Sequence, residues 1–214
     1  MNQNHYSKYF DHTILKPDAD KERVQAVIQE AIDNQFASVC VNQYRTKMVA
    51  DALKETGIKT CTVVGFPLGA VDTEVKVFET QRAIADGADE IDMVINIGAL
   101  KDKEYDYVLH DIQSVKEACG DRVLKVIIET CFLEDAEKKK ACELAMQAGA
   151  DFVKTSTGFG SGGANAEDVR LMKQIVGDKL QVKASGGIRD FETAKSMIDA
   201  GATRLGTSAI INCK

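Results

Sequence analysis

The chain has 214 residues, a formal net charge of −6 at pH 7, and 44% hydrophobic and 28% charged residues. This length suits one globular domain with a sizeable core, and we predict a single domain over residues 1–214. The acidic balance and the lack of a Lys/Arg stripe argue against a nucleic-acid partner. No apolar run approaches the roughly 20 residues that cross a bilayer, so we expect no membrane partner.

The chain contains six cysteines and three histidines. The cysteines form no CxxC pair, and the polar N-terminus lacks the apolar core of a signal peptide, which favours reduced thiols and a cytoplasmic location. The histidines form neither HxH nor HExxH. We therefore expect no metal site of the catalytic zinc kind.

Apolar, β-branched segments alternate with amphipathic segments along the chain. The predicted strands are Phe10–Leu15, Ser38–Val41, Lys59–Val64, Glu90–Ile95, Leu124–Glu129, Phe152–Thr155, Gln181–Ala184 and Arg204–Gly206. Several are near-continuous apolar runs, which is typical of parallel strands covered on both faces. The spacing of apolar residues predicts helices at Glu22–Asn34, Glu74–Asp86, Asp135–Ala148 and Asp190–Ala200.

Glycine recurs between helix and strand at Gly87, Gly149 and Gly201, each followed by alanine. This pattern predicts that each helix ends at a glycine in the left-handed conformation and that the chain then packs closely as it enters the next strand. Eight strand–helix units fit a closed barrel or an open doubly wound sheet. Polar residues stand near the C-terminal ends of almost every predicted strand, and those ends all meet at one mouth only in a barrel. We therefore predict an α/β fold, a single-domain (β/α)8 TIM barrel.

Charged residues stand inside several predicted strands. Four of them lie among apolar residues: Lys125, Lys154, Lys183 and Asp92. Lysine is rarely buried unless it forms an ion pair or has a catalytic role. Crowded ammonium groups and burial lower the pKa of a lysine, and the free amine forms Schiff bases with carbonyls. Asp92 could then move protons. The alternative is that the lysine heads reach solvent at the barrel rim, and spacing alone does not identify the nucleophile.

Glycine-rich turns follow the three last predicted strands. Thr157-Gly158 follows the sixth strand, Ser185–Arg189 follows the seventh and leads into a helix, and Gly206–Ser208 follows the eighth in the same way. Glycine lets the backbone approach a ligand, and the N–H groups at helix N-termini bind anions. The turns predict a phosphate site, although Gly-Gly can also serve only to make a tight turn.

Six segments together carry a family resemblance. They are Asp11–Lys16 (DHTILK), Val64–Gly69 (VGFPLG), Glu90–Ile95 (EIDMVI), Lys125–Thr130 (KVIIET), Asp151–Phe159 (DFVKTSTGF) and Lys183–Arg189 (KASGGIR). In order and spacing the chain resembles deoxyribose-phosphate aldolase, a class I aldolase family, from Asp11 to about Ser208. KTSTGF is the most specific of these motifs, and GGIR alone would be weak.

The resemblance implies reversible cleavage of 2-deoxy-D-ribose 5-phosphate to acetaldehyde and D-glyceraldehyde 3-phosphate, in deoxyribonucleotide catabolism. It implies that Lys154 forms the Schiff base, that Lys183 lowers the pKa of Lys154, and that Asp92 is the acid/base residue. It also implies that other residues bind the substrate: Asp11, Thr13, Lys125, Gly158, Gly186, Gly187 and Ser208. The implied reaction uses no cofactor and no metal, its partners are a sugar phosphate and aldehydes, and barrels of this kind often form homodimers.

Two other functions stay open on the sequence. A transaldolase-like enzyme would share the Schiff base but take a ketose donor. A non-catalytic sugar-phosphate sensor would use the same barrel with Lys154 unreactive, because a fold does not fix a function.

Overall fold

The computed structural model describes residues 6–209, which form a closed barrel of eight parallel strands. Each strand pairs with the next, and the first pairs with the last. The strands are β1 Phe10–Ile14, β2 Ser38–Val41, β3 Lys59–Val64, β4 Glu90–Val94, β5 Val123–Ile127, β6 Phe152–Lys154, β7 Gln181–Ser185 and β8 Arg204–Thr207. The predicted TIM barrel is confirmed. The largest boundary error is at β5, because Glu129 has a positive φ of 55° and has left the strand.

Helices connect successive strands on the outside of the barrel. They are α1 Lys21–Asn34, α2 Thr46–Leu53, α3 Thr73–Ala85, α4 Ile97–Lys101, α5 Tyr105–Cys119, α6 Asp135–Gln147, α7 Ala166–Val176 and α8 Phe191–Asp199. Both α4 and α5 lie between β4 and β5. The helix predicted after Gly206–Ser208 lies outside the described residues, as do both ends of the predicted domain 1–214. Among residues 6–209, no helix is long and apolar enough to cross a membrane.

Local sequence explains where the helices begin and end. The side chains of Asp20 and Asp190 accept hydrogen bonds from backbone N–H groups in the first turns of α1 and α8. The glycines after α3, α6 and α8 all have positive φ, as predicted. The alanine after each glycine donates its N–H to a helix carbonyl five residues earlier, which closes the helix end: Ala88 to Ala83, Ala150 to Ala145 and Ala202 to Met197.

The barrel wall separates an apolar outer layer from a charged interior. Side chains alternate along each strand, and the outward set packs with the helices in the main core. Inside the barrel, a small apolar cluster contains Leu15, Cys40, Cys61 and Val63. Much of the remaining interior holds buried carboxylates and ammonium groups, where branched apolar side chains usually dominate in this fold. Buried charge at this density requires pairing, and it marks where to look for chemistry.

Candidate active site

The centre of the charged interior is the carboxylate of Asp92 in β4, which is fully buried. Its Oδ2 atom accepts hydrogen bonds from Lys154 Nζ and Lys183 Nζ, both at 2.7 Å. Its Oδ1 atom accepts from Lys125 Nζ at 2.8 Å and from Cys61 Sγ at 3.2 Å. The three strand lysines predicted to approach one another do so, and one carboxylate binds all three.

A second carboxylate, Asp11 in β1, lies behind Lys183. Its Oδ2 atom forms an ion pair with Lys183 Nζ at 2.6 Å. Its Oδ1 atom accepts hydrogen bonds from Ser38 Oγ at 2.7 Å and from Arg204 Nε at 2.8 Å. Asp11 therefore joins the lysine cluster to β8.

A third carboxylate, Glu90 in β4, lies behind Lys125. Its Oε2 atom accepts from Lys125 Nζ at 2.6 Å and from Arg204 Nη2 at 2.9 Å. Neither Glu90 nor Arg204 is a candidate site residue from the sequence. The available signal is that Glu90 stands two positions before Asp92, on the same face of one strand, and that Arg204 is a further cation within a predicted strand.

The charges of this cluster do not quite balance. Three carboxylates face four cations, so the cluster carries one surplus positive charge when every group is ionised: Asp11, Glu90 and Asp92 against Lys125, Lys154, Lys183 and Arg204. Loss of one proton from one lysine makes the cluster neutral. Lys154 is 3% exposed, whereas Lys125 and Lys183 have no exposed surface. Lys154 is therefore the lysine of the three that can reach a substrate.

The pKa values of the buried lysines differ from the expectation that crowded lysines lose protons readily. Burial acts to lower the pKa of Lys183, but Asp11 and Asp92 outweigh burial, and the pKa is raised above its ordinary value. Burial likewise opposes the ammonium form of Lys125, yet Asp92 and Glu90 help to raise its pKa. Burial would raise the pKa of Asp92, but Lys125, Lys154 and Lys183 hold it well below its usual range. The expectation neglected the carboxylates that pair with the lysines.

A cavity of about 630 Å³ opens at the C-terminal ends of the strands, directly above this cluster. Six of the predicted site residues line it: Thr13, Lys154, Gly158, Gly186, Gly187 and Ser208. The other four predicted site residues, Asp11, Asp92, Lys125 and Lys183, are fully buried and do not contribute to its lining. The structure thus divides the predicted site into a cavity wall and a charged layer beneath it.

One side of the cavity wall is built from glycine backbone. Gly158, Gly186 and Gly187 have φ values of +86°, +87° and +82°. In the described part of the chain, no acceptor pairs with the backbone N–H groups of these three residues. A Cβ atom at Gly163 would lie 2.3 Å from the Gly186 carbonyl oxygen, so two loops meet backbone to backbone here. Unpaired N–H groups beside a cavity can bind an anion.

The loop after Lys154 is held in place by Glu129, which is buried at the end of β5. The Glu129 carboxylate accepts from the Thr157 backbone N–H at 3.2 Å and also from the Thr157 hydroxyl. Glu129 has a positive φ at the point where the chain leaves β5. Because Thr157 directly precedes Gly158, the contact ties the glycine wall to the segment that follows β5.

The fold and the site define the class of protein. A TIM barrel that presents one accessible lysine, backed by a buried carboxylate and flanked by unpaired backbone N–H groups, has the parts of a Schiff-base aldolase for phosphorylated substrates. The profile of the DeoC/LacD family aldolases matches residues 6–210. The chain belongs to the DeoC/LacD family of aldolases.

Individual relatives agree with this placement. The deoxyribose-phosphate aldolase of Clostridium tetani is 61% identical over 203 residues, which cover 94% of each chain. The solved structure of QR15, an aldolase, has a TM-score of 0.92 at 44% identity and covers 95% of this chain and 91% of its own. The deoxyribose phosphate aldolase from Aeropyrum pernix has a TM-score of 0.88 at 31% identity, with 97% and 88% coverage. The family and the enzyme class predicted from the sequence are confirmed, and the relatives favour them over a transaldolase-like enzyme or a sensor.

Proposed function

We propose that the protein cleaves 2-deoxy-D-ribose 5-phosphate reversibly to acetaldehyde and D-glyceraldehyde 3-phosphate through a Schiff base on Lys154. The observation that carries this proposal is the position of Lys154, which both lines the cavity and donates a hydrogen bond to Asp92 at 2.7 Å. The high identity to deoxyribose-phosphate aldolases supports the choice of substrate, and that substrate places the enzyme in deoxyribonucleotide catabolism.

The reaction begins when the neutral amine of Lys154 attacks the C1 aldehyde of the open-chain sugar, and loss of water gives an iminium ion. The C3 hydroxyl then loses its proton as the C2–C3 bond breaks. The electron pair of that bond moves to C2 and the iminium nitrogen, which leaves an enamine and releases D-glyceraldehyde 3-phosphate. Protonation of the enamine at C2 and hydrolysis of the new iminium release acetaldehyde. The iminium is the electron sink, so this route needs no metal or cofactor.

Asp92 and Lys183 serve the proton transfers of this route. The Asp92 carboxylate contacts both lysines at 2.7 Å, so it can receive or return a proton at the nitrogen of Lys154, directly or through a water. Lys183 shares Asp92 Oδ2 with Lys154, so its positive charge acts close to the reacting nitrogen. Thr13, on the cavity wall, is placed to meet a substrate hydroxyl. The predicted contacts of Asp11 and Lys125 with substrate hydroxyls stay predictions, since both residues lie beneath the cavity lining.

The substrate phosphate is assigned to the backbone N–H groups of Gly158, Gly186, Gly187 and Ser208. We expect Gly187→Ala to raise KM for 2-deoxyribose 5-phosphate by about 10-fold, because the strained φ reorients an N–H that binds the anion. Steady-state kinetics with phosphorylated and unphosphorylated deoxyribose checks this, and the effect should be confined to the phosphorylated substrate.

Gly149→Ala is the matched control. Gly149 has a φ of +74° and, like Gly187, no atom within 4 Å of an added Cβ. Both variants should lose a similar amount of stability, about 1 kcal/mol. An equal rise in KM for both variants, or for both substrates, would contradict the phosphate assignment.

The assembly is assigned as a homodimer, formed through exposed apolar side chains of α3 and of the segment just before it. Leu68, Val75 and Phe78 are 74%, 44% and 68% exposed, and a surface of this kind is typical of an interface. The Aeropyrum pernix relative is described as having a unique tetrameric structure, which supports self-association in this family. Sedimentation should give a dimer for the protein and a monomer for Phe78→Glu, and a monomeric starting protein would contradict the assignment.

The location is assigned as the cytoplasm. The described cysteines are all free thiols, including Cys40 and Cys61, which are register partners on β2 and β3. A chain with six cysteines and no CxxC pair fits a reducing compartment. Fractionation of cells that produce the protein from its own gene should recover it in the cytoplasmic fraction, and recovery outside that fraction would contradict the assignment.

A further inference from the structure

Arg204 and Glu90 close a ring of ion pairs beneath the cavity. Around this ring the charges alternate in sign, and each contact is 2.6–2.9 Å: Arg204 to Asp11, Asp11 to Lys183, Lys183 to Asp92, Asp92 to Lys125, Lys125 to Glu90 and Glu90 back to Arg204. The complete ring has three positive and three negative groups. Lys154 lies outside the ring, and Asp92 is the one ring carboxylate with which it forms an ion pair.

The guanidinium group of Arg204 joins the two sides of the ring. Its Nε and Nη2 atoms donate to Asp11 Oδ1, and its Nη1 and Nη2 atoms donate to Glu90. One planar cation therefore orients two carboxylates, which a lysine head cannot do with the same fixed geometry. Asp11 in turn holds Lys183, and Glu90 holds Lys125. Neither Arg204 nor Glu90 lines the cavity, so neither is placed to touch the substrate.

We propose that Arg204 and Glu90 are positioning residues of the aldolase reaction, which fix Lys183 and Asp92 and set the protonation of Lys154. This inference rests on the proposed Schiff-base role of Lys154. The ring is neutral with both residues in place, and loss of either one alone leaves it with a net charge. Removing Glu90 leaves a surplus positive charge that disfavours the ammonium form of Lys154, and removing Arg204 leaves a surplus negative charge that favours it.

The two removals therefore have opposite effects on the pH at which Lys154 becomes a free amine. The other charged groups around Lys154 are unchanged in both variants. On the strands they are Asp11, Asp92, Lys125 and Lys183, with the thiols of Cys40 and Cys61 beside them. Around the cavity they are Lys16, Arg23, Glu30 and Arg189. Opposite shifts of this pH in the two variants would therefore be caused by the changed charge of the ring.

The experiment measures the pH dependence of kcat/KM for cleavage by Glu90→Gln and Arg204→Met. The acid limb of this profile reports the essential free amine in the free enzyme. We expect it to move about one pH unit down in Glu90→Gln and about one unit up in Arg204→Met. We expect kcat to fall about 10- to 100-fold, with a much smaller change in KM, because misplaced catalytic groups cost turnover.

Arg204→Lys separates charge from geometry. It keeps the positive charge, so its acid limb should match that of the unaltered enzyme. Its kcat should stay reduced, because an ammonium group cannot reproduce the four hydrogen bonds that the planar guanidinium makes to Asp11 and Glu90. Arg82→Met is the control, since Arg82 pairs with Asp86 on the exposed surface and should leave the profile unchanged.

Unshifted acid limbs, or shifts of the same sign in folded Glu90→Gln and Arg204→Met, would show that the ring is only structural. If Arg204→Met fails to fold, the test rests on the other two variants. The proposal then requires an acid limb that moves down in Glu90→Gln and an unshifted acid limb with reduced kcat in Arg204→Lys. Borohydride trapping of acetaldehyde on the unaltered enzyme keeps the two proposals apart. Failure to label Lys154 there would overturn the proposed function, whereas labelling with unshifted variants would overturn the positioning role alone.

Discussion

Replacement of Lys154 by methionine is expected to lower kcat for deoxyribose 5-phosphate cleavage by at least about 10⁴-fold, because no amine then remains to form the iminium. Lys183 cannot substitute, since it has no exposed surface and is held by Asp11 and Asp92. Steady-state assay of released acetaldehyde measures the loss.

The same variant should keep its fold. Removing Lys154 takes away the surplus positive charge and leaves Asp92 paired with Lys125 and Lys183, so urea unfolding should show little loss of free energy. Lys59→Met is the matched control, because Lys59 begins β3 but is exposed and should retain full activity. A stable Lys154→Met enzyme with substantial activity would contradict the Schiff-base role.

Replacement of Asp92 by asparagine is expected to damage both stability and activity. The three lysine ammonium groups that contact Asp92 would face a neutral amide, and breaking a buried ion pair in this way costs about 3–5 kcal/mol. Loss of the acid/base group should also lower kcat by about 10²- to 10⁴-fold. Urea unfolding at pH 7 and steady-state kinetics measure the two effects. Asp51→Asn is the control, because Asp51 forms an exposed pair with Lys47, and it should change little.

The effect of Asp92 on stability should depend on pH. Its pKa is depressed in the folded protein, so the stability it contributes is present above its ordinary pKa of 3.8 and is lost as the pH falls toward the lower folded value. The free energy of unfolding of the unaltered protein should therefore fall below about pH 4, and Asp92→Asn should show a shallower fall. Parallel curves for the two proteins would contradict the ion-pair account of Asp92.

Much of the barrel could be predicted from the sequence because the signals are local. Apolar runs such as the one around Ile91 and Met93 mark strands buried on both faces, and glycines such as Gly149 mark helix ends. The sequence pattern places the end of β5 two residues too late, because Glu129 leaves the strand to hold the Thr157 loop. That contact joins residues 28 positions apart.

Only part of the candidate site can be predicted from the sequence. The sequence identifies four candidates, because charge inside an apolar strand is unusual: Lys125, Lys154, Lys183 and Asp92. That Lys154 lines the cavity while the other three are buried beneath it depends on closure of the barrel. The partner of Asp11 in β8 is 193 positions away in sequence. No local sequence pattern specifies that β1 pairs with β8. The role of Arg204 and the ring of ion pairs that it completes can therefore be recognised only in the folded structure.

The most direct test of the central claim is to trap the intermediate. The protein is incubated with acetaldehyde, reduced with borohydride, and digested for peptide mass mapping. We predict a two-carbon adduct on Lys154, the lysine of the cluster that lines the cavity, and no adduct at this site in Lys154→Met. An adduct on Lys183 instead, or no adduct in a folded protein that binds deoxyribose 5-phosphate, would contradict the account.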